Sequence, residues 1–166
     1  MTKSSQPRAT QAKASDIDEF DRRLLNILQL DANRPLAAVA HEIGLSASAC
    51  YRRLQRLRRD KIIRAEVALV DQRVSRWPMT AIMDVALERL NEAQRNAFVV
   101  RVRSDPQVMQ CYAVSGEFDF VMMVVLVDMD DYQQFVQSLL VENEAVKHFR
   151  TKFVVRQIKA KTDFAL

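Results

Sequence analysis

The chain is poor in the residues from which most catalytic and metal sites are built. Its 166 residues include two histidines, two cysteines and two glycines. Cys50 and Cys111 lie far apart without CxxC spacing, so the sequence predicts neither a disulfide framework nor a zinc site, and we expect both thiols to be buried and reduced. No arrangement of serine, cysteine and histidine typical of a nucleophile and no glycine-rich phosphate loop is present. These gaps argue against a metabolic enzyme, and we expect no cofactor and no metal ion.

Long hydrophobic runs are also missing. No apolar stretch reaches the roughly 18 residues that a membrane-spanning helix needs. The first residues, MTKSSQPRATQAKAS, lack the hydrophobic centre of a secretory signal. We therefore expect a cytoplasmic protein with no membrane partner. Residues 1–15 are polar, and we expect them to form a disordered tail.

Positive charge is concentrated near the start of the chain. Residues 1–64 contain 13 Lys and Arg against 7 Asp and Glu, a net charge of +6, whereas residues 65–166 contain 12 against 14, a net charge of −2. Clustered Lys and Arg side chains displace counterions from phosphates. A basic segment joined to a nearly neutral one is therefore typical of a polyanion-binding module attached to a second domain.

Residues 16–64 are predicted to form a helix-turn-helix domain. Apolar residues at helical spacing predict a first helix that ends among the turn residues 31–35 and a short second helix over residues 36–43. Gly44 can take the left-handed conformation that closes the second helix, and Ser46 can cap the helix that follows. In a helix-turn-helix, the second member of this pair lies in the major groove of DNA.

The helix after Ser46 carries its charge on one side. Cys50, Leu54 and Leu57 form an apolar stripe, and no acid precedes Asp60 among the arginines of this helix. A face stabilised by salt bridges would carry acids at i±4. We therefore interpret the arginine face as a phosphate-facing surface that acids do not match.

Base edges and phosphates require different side chains. The guanidinium of Arg matches the O6 and N7 atoms of guanine, and the amide of Gln matches adenine. On this basis Ser48, Arg52 and Gln55 are the candidates for base contacts. The other predicted DNA contacts are Ser46 at the start of the helix and, as phosphate ligands, Arg34, Arg53, Arg56 and Arg59.

Residues 65–78 are predicted to form a linker strand, and residues 79–166 a second domain. Strand and helix patterns follow one another there in the order strand, helix, strand, strand, helix, strand. That order belongs to the ferredoxin-like fold, in which one antiparallel sheet carries both helices on the same face. The predicted fold class is therefore α+β, a helix-turn-helix domain followed by a ferredoxin-like βαββαβ domain.

The third strand of the second domain is apolar on both sides. The strand is predicted over residues 118–127. From residue 120 onward its alternate positions are all apolar on both sides, with Phe120, Met122, Val124 and Leu126 on one side and Val121, Met123, Val125 and Val127 on the other. Because both helices cover the same face of the sheet, the other face needs a different cover. A second copy of the chain is the simplest cover, so we expect a homodimer.

A tight turn at Ser115, Gly116 and Glu117 joins the second and third strands. Free backbone amides around a glycine turn can bind a carboxylate, and the nearby Asp119 can bind an ammonium group. A small zwitterion would fit such a loop. Alternatively, Gly116 only makes the turn and Asp119 only bonds it locally.

Four segments together resemble the Lrp/AsnC family of leucine-responsive, or feast/famine, transcriptional regulators. They are DEFDRRLLNILQLDANRP, LAAVAHEIGLSASACYRRLQRLRRDKII, VSGEFDFVMMV and RTKFVVRQIKAKTDFAL. The resemblance implies a helix-turn-helix domain, a ferredoxin-like effector domain for sensing and oligomerisation, dimers formed through the sheets, and octamers or other multiples of dimers. It also implies that small amino acids bind between dimers.

Two positions depart from the family's pattern. Lys61 stands where the family often has glycine, so we expect a longer or frayed exit from the arginine-rich helix. Ala145 stands where the family often has a glycine before the last strand.

The resemblance also implies the residues of an effector pocket. They are Ser115, Gly116, Glu117, Phe118, Asp119 and, on the last strand, Thr151.

These features lead to one functional hypothesis and one alternative from another class. The hypothesis is a sequence-specific regulator that binds double-stranded DNA, and whose DNA binding or assembly changes when a small amino acid binds. The alternative is an amino-acid-sensing protein that regulates a protein partner, with the basic helix as its docking surface.

Overall fold

The structure, a computed structural model, describes residues 17–88 and 92–166. The tail predicted over residues 1–15 lies outside the described residues. The chain divides into two units, one that runs to Ala68 and includes Lys159–Leu166, and one that comprises Leu69–Ile158. The C-terminal segment packs with the first unit, where the side-chain amide of Gln29 donates to the carbonyl of Phe164 at 3.0 Å and accepts its N–H at 3.1 Å.

Three helices form the first unit: α1 (Glu19–Leu30), α2 (Leu36–Glu42) and α3 (Ala47–Arg59). Their apolar sides meet in one core, so the predicted helix-turn-helix arrangement is confirmed. The buried core residues, which include the predicted apolar stripe of α3, are Leu24, Leu25, Val39, Ala40, Ile43, Cys50, Leu54 and Leu57.

Side-chain caps set the starts of α1 and α3. The carboxylate of Asp18 accepts the N–H of Asp21 at 2.9 Å, and the carboxylate of Asp21 accepts the N–H of Asp18 at 3.0 Å, a reciprocal capping box. Ser46 Oγ accepts the N–H of Ala49 at 3.2 Å. The predicted cap of α3 is therefore confirmed.

The exits of α2 and α3 share one hydrogen-bond pattern. After α2, Gly44 has a φ of 75° and the N–H of Leu45 donates to the carbonyl of Ala40 at 2.8 Å. After α3, Lys61 has a φ of 55° and the N–H of Ile62 donates to a carbonyl of the last turn at 2.9 Å. Both are Schellman closures, in which one left-handed residue lets the last carbonyls find donors. The expected longer or frayed exit at Lys61 is therefore wrong, since a non-glycine residue takes the left-handed position there.

The predicted linker strand is not formed in the described chain. Residues 64–71 have no regular secondary structure, and Gln72–Val74 form a single turn of 3₁₀ helix. A strand needs a neighbour to complete its hydrogen bonds, and this segment has no partner in the four-stranded sheet.

The second unit has the predicted βαββαβ order, with an antiparallel sheet in the order β2-β3-β1-β4. The second helix of this unit continues directly into one turn of π-helix, Gln137–Val141. The other elements are β1 (Met79–Leu87), α4 (Glu92–Ser104), β2 (Val108–Ala113), β3 (Phe120–Leu126), α5 (Met129–Val136) and β4 (Val146–Phe153).

The core of the second unit lies between the helices and one face of the sheet. Alternate residues of β1 and β3, such as Met83 and Met122, are fully buried against Phe98 of α4 and Phe135 of α5. Cys111 on the edge strand β2 is exposed, which corrects the expectation that both cysteines are buried. None of the described helices is long and apolar enough to cross a membrane.

The opposite face of the sheet is apolar but carries no helix. Val121 and Met123 of β3 are only partly buried there, as is Ile82 of β1. On the same face, the largely buried carboxylate of Asp84 accepts a hydrogen bond from the Nζ of Lys152 at 2.6 Å. A homodimer that covers this face stays a prediction.

Substituting the left-handed residue should have opposite effects on stability in the two Schellman closures. Lys61→Gly should raise the free energy of unfolding by about 1 kcal/mol, because glycine removes the steric penalty of a left-handed backbone. Gly44→Ala should lower it by about the same amount, since no atom lies within 4 Å of the added Cβ and only the backbone strain remains. Denaturant unfolding of the two variants checks this, and a destabilised Lys61→Gly protein would contradict it.

Candidate nucleic-acid interface and effector loop

Four exposed side chains line one side of α3. Ser48, Arg52, Gln55 and Arg59 follow at intervals of four, three and four residues, so they form a single ridge, here called the recognition ridge. Within the described chain, Arg52 and Gln55 make no hydrogen bond or ion pair. Arg59 pairs only with the adjacent Asp60 at 3.0 Å, and 74% of its side chain stays exposed. The ridge can therefore offer donors to a ligand.

Two further arginines of α3 turn toward α1 instead. The carboxylate of Asp21 is fully buried, and its two oxygens receive the guanidinium groups of Arg53, at 3.0 Å, and of Arg56. Arg53 also donates to Asp18 at 2.6 Å and lies over the ring of Phe20, 5.4 Å from its centre. These five residues, here called the Asp21 network, join α3 to α1.

Protonation equilibria agree with this geometry. The pKa of Asp18 is lowered, chiefly by the hydrogen bond from the backbone N–H of Asp21 and further by the guanidinium of Arg53. The pKa of Arg53 is raised, chiefly by its hydrogen bond to Asp18. Each partner therefore favours the charged form of the other.

The expectation that acids do not match the arginines of α3 is wrong for Arg53 and Arg56. The search for acids at i±4 tests one helix at a time, whereas Asp18 and Asp21 lie on the neighbouring one. An acid at an N-cap with another three residues later is a signal that could have indicated the network, since both then lie at one end of α1.

The remaining predicted DNA contacts are also engaged within the chain. Arg34 pairs with Glu42 at 2.5 Å, and Ser46 uses its hydroxyl as the cap of α3. Arg58 of α3, which is not among the predicted contacts, pairs with Glu66 at 2.7 Å. The recognition ridge is therefore the part of the predicted interface whose side chains are left most available.

The predicted effector loop closes on the end of β1. Gly116 has a φ of 130°, a conformation that side chains rarely adopt, which confirms the predicted role of glycine in this turn. The carboxylate of Asp119 accepts the N–H of Leu87 at 2.8 Å and pairs with Arg95 of α4 at 3.3 Å. The carboxylate of Asp119 thus bonds β1 and α4 rather than its own turn, and both of its oxygens have a partner.

The other loop residues reach over the helix-free face of the sheet. The Phe118 ring stands edge-on to that of His148 at 5.3 Å, and Arg150 lies 5.0 Å above the Phe118 ring and 3.8 Å from Glu117. Ser115 is exposed beside them. The loop therefore exposes groups of both charges.

Thr151 is not part of this group in the single chain. It lies opposite the core residue Met83 across the β1–β4 pair, so its side chain points to the helix-covered face, where its Oγ1 accepts the hydroxyl of Tyr132 at 3.1 Å. Arg150 and Thr151 are neighbours in a strand and so point to opposite faces.

Metal chemistry has no support in the described part of the chain. No group of three or more His, Cys, Asp or Glu side chains there could hold a metal ion.

The two units each match a known domain family. The AsnC-type helix-turn-helix domain matches residues 17–58, and the Lrp/AsnC ligand binding domain matches residues 80–164. The chain belongs to the Lrp/AsnC family of transcriptional regulators. The first match contains the Asp21 network and the recognition ridge, and the second contains the whole predicted effector loop.

Individual Lrp/AsnC relatives align over nearly the whole chain. An uncharacterised HTH-type transcriptional regulator of Sinorhizobium fredii is 35% identical over 147 residues, 89% of this chain and 87% of the relative. The DNA-binding transcriptional activator DecR of Escherichia coli is 30% identical over 150 residues, 90% of this chain and 99% of DecR. The crystal structure of a Neisseria meningitidis transcriptional regulator in complex with L-Met has a TM-score of 0.82 and 28% identity, covering 90% of this chain and 96% of that one. The family resemblance and the predicted fold are confirmed.

Proposed function

We propose that this Lrp/AsnC regulator reads double-stranded DNA with the recognition ridge and that a small amino acid bound at the effector loop changes its DNA binding or assembly. The observation that carries the first part is the contrast within α3. Arg53 and Arg56 are tied to a buried carboxylate, whereas Arg52 and Gln55 project from the same helix without a partner in the described chain.

Each residue of the ridge has a distinct role in this proposal. Arg52 donates to the O6 and N7 atoms of a guanine, Gln55 contacts an adenine, and the hydroxyl of Ser48 contacts a neighbouring base edge. Arg59, at the end of the ridge, contacts a phosphate. The support for these roles is exposure and spacing along one side of a helix.

In this proposal the other predicted DNA contacts contribute less to DNA binding than the recognition ridge does. Arg34, Arg53 and Arg56 could reach a phosphate only by sharing or leaving a carboxylate, and Ser46 only by sharing its capping hydroxyl. Moving Arg56 away from Asp21 would leave a buried negative charge less compensated, which is unfavourable. We therefore assign Arg53 and Arg56 chiefly to holding α3 in position.

Assembly follows from the uncovered face of the sheet. A two-fold dimer formed through that face would bury Val121 and Met123 and would present two recognition ridges, as successive major grooves on one side of DNA require. Octamers or other multiples of dimers extend the same proposal.

The amino-acid part rests on the chemistry of the loop. A zwitterion needs donors for its carboxylate and an acceptor for its ammonium group, and the loop combines backbone amides around Gly116 with the carboxylates of Glu117 and Asp119. Because Asp119 already has two partners, Glu117, which is exposed, is the more available acceptor. The complex of the Neisseria relative with L-Met supports an amino acid as the class of effector.

Replacing Arg52 should remove base discrimination. The test selects a preferred duplex from a random pool with the wild-type protein and then compares affinities for that duplex and for single base-pair variants. At one base pair, Arg52→Ala should reduce the difference in binding free energy between the preferred duplex and its variants by roughly 1–3 kcal/mol, because one bidentate contact is lost. Arg101→Ala, which removes an arginine from the other unit, is the charge-matched control and should keep the preference.

Arg59→Ala should act differently from Arg52→Ala. It should weaken all duplexes alike and reduce the slope of log affinity against log salt by about 0.9, the value for one phosphate contact. Wild-type discrimination by Arg52→Ala would contradict the readout role, and an absence of DNA binding at low salt would favour docking to a protein partner.

Amino-acid binding should stabilise the protein and should depend on the turn at Gly116. Thermal unfolding of the wild type with each standard amino acid in turn should give a raised melting temperature for one or a few of them. Gly116→Ala strains the turn and should abolish that ligand-induced rise. Gly44→Ala strains a left-handed glycine in the other unit and should lower the melting temperature but keep the rise. A rise that survives in Gly116→Ala would contradict the effector role of the loop.

A further inference from the structure

In the second unit, a groove lies between α4 and the edge strand β2, beside the effector loop. Its volume is about 300 Å³, at the lower end of the range typical of small-molecule sites. The floor is apolar and aromatic, formed by Phe98, Val102 and Phe120, and the rings of the two phenylalanines lie 5.3 Å apart.

The groove exists because the edge strand carries small side chains where α4 leaves it uncovered. Cys111 and Ala113 lie opposite the core residues Met122 and Phe120 in the β2–β3 pair, so their side chains point to the helix-covered face. Both nevertheless remain exposed. Larger side chains at these two positions would fill the space between strand and helix.

Two arginines of α4 give the groove positive charge. Arg95 and Arg103 are eight residues apart and both line it. Arg95 lies 5.1 Å above the ring of Phe120 and pairs with Asp119 at 3.3 Å, whereas Arg103 makes no ion pair or hydrogen bond within residues 17–88 and 92–166. A guanidinium beside an apolar floor fits a ligand that has a carboxylate at one end.

Negative charge is absent from the lining. No Asp or Glu is among the residues that line the groove within the described ranges. The thiol of Cys111 also brings no charge at neutral pH. Although the residue is exposed, the protein around its sulfur partly desolvates it, and this raises its pKa more than the nearby Arg103 lowers it. An ammonium group would therefore find no carboxylate in the lining, since Asp119 lies outside it and both of its oxygens are already engaged.

We propose that this groove is a second small-molecule site, for an apolar monocarboxylate without an ammonium group, such as a short-chain fatty acid or a 2-oxo acid. Its carboxylate pairs with Arg103, and its hydrocarbon body packs on Phe98 and Phe120 beside Arg95. Since Arg95 also holds the effector loop through Asp119, occupation of the groove is coupled to that loop.

The probe is 4-methylpentanoate, which is leucine without its ammonium group. Binding is followed in the full-length protein by the rate at which a thiol reagent alkylates Cys111, because Cys50 is fully buried and stays unreactive in the folded protein. Saturating 4-methylpentanoate should protect Cys111. The matching alcohol, 4-methylpentan-1-ol, which lacks the carboxylate, should not.

Three variants localise the binding. Arg103→Gln removes the unpaired guanidinium, and Ala113→Leu fills the groove without changing charge. Each should raise the concentration of 4-methylpentanoate needed to protect Cys111 by roughly tenfold or more. Arg101→Gln makes the same charge change on the same helix, outside the groove lining, and should bind as the wild type does.

Two results would overturn the proposal. One is alkylation of Cys111 that saturating 4-methylpentanoate leaves unchanged, and the other is protection of equal strength in Arg103→Gln and the wild type. If Ala113→Leu fails to fold, the comparison of Arg103→Gln with the wild type alone decides whether the ligand binds in the groove. Neither result bears on DNA recognition by α3 or on amino-acid binding at the loop, which the duplex and melting experiments test separately.

Discussion

The carboxylate of Asp21, which has no exposure to water, is the constraint on which the first unit depends. Removing a charge from water is costly unless partners replace the lost hydration. Here Arg53 and Arg56 supply those partners, and the capping box with Asp18 uses the same carboxylate to start α1. The Nε atom of Arg56 is buried with no hydrogen-bond partner in the described chain, so this arginine is placed by its contact with Asp21 at some cost to its own donors.

This constraint divides four of the five arginines of α3 into two groups with different tasks. Arg53 and Arg56, which contact Asp21, fix how α3 lies against α1. That packing sets the direction in which the recognition ridge points. A side chain that reads a base edge must be presented by a rigid element, because misplaced donors lose their specificity. The exposed ridge, with Arg52 unpaired in the described chain, and the buried ion pairs at Asp21 therefore act together.

Local patterns predicted most of the fold because local interactions set it. The caps at Asp18 and Ser46, the left-handed Gly44 and Gly116, and the strand and helix order all depend on residues close in sequence. The failures share a different cause, since each depends on what lies beside an element. The ion pairs of Arg53 and Arg56 cross between helices, and Cys111 is exposed because β2 is an edge strand.

The claim that Asp21 fixes the recognition helix is tested most directly by a double-mutant cycle between Asp21 and Arg56. Unfolding free energies are measured for the wild type, Asp21→Asn, Arg56→Gln and the double variant. We predict strong coupling, roughly 2 kcal/mol or more. Each single change should destabilise, because Arg56→Gln leaves the buried carboxylate of Asp21 with Arg53 alone and Asp21→Asn removes the anion that both guanidinium groups share. Effects that add within about 0.5 kcal/mol would contradict the account.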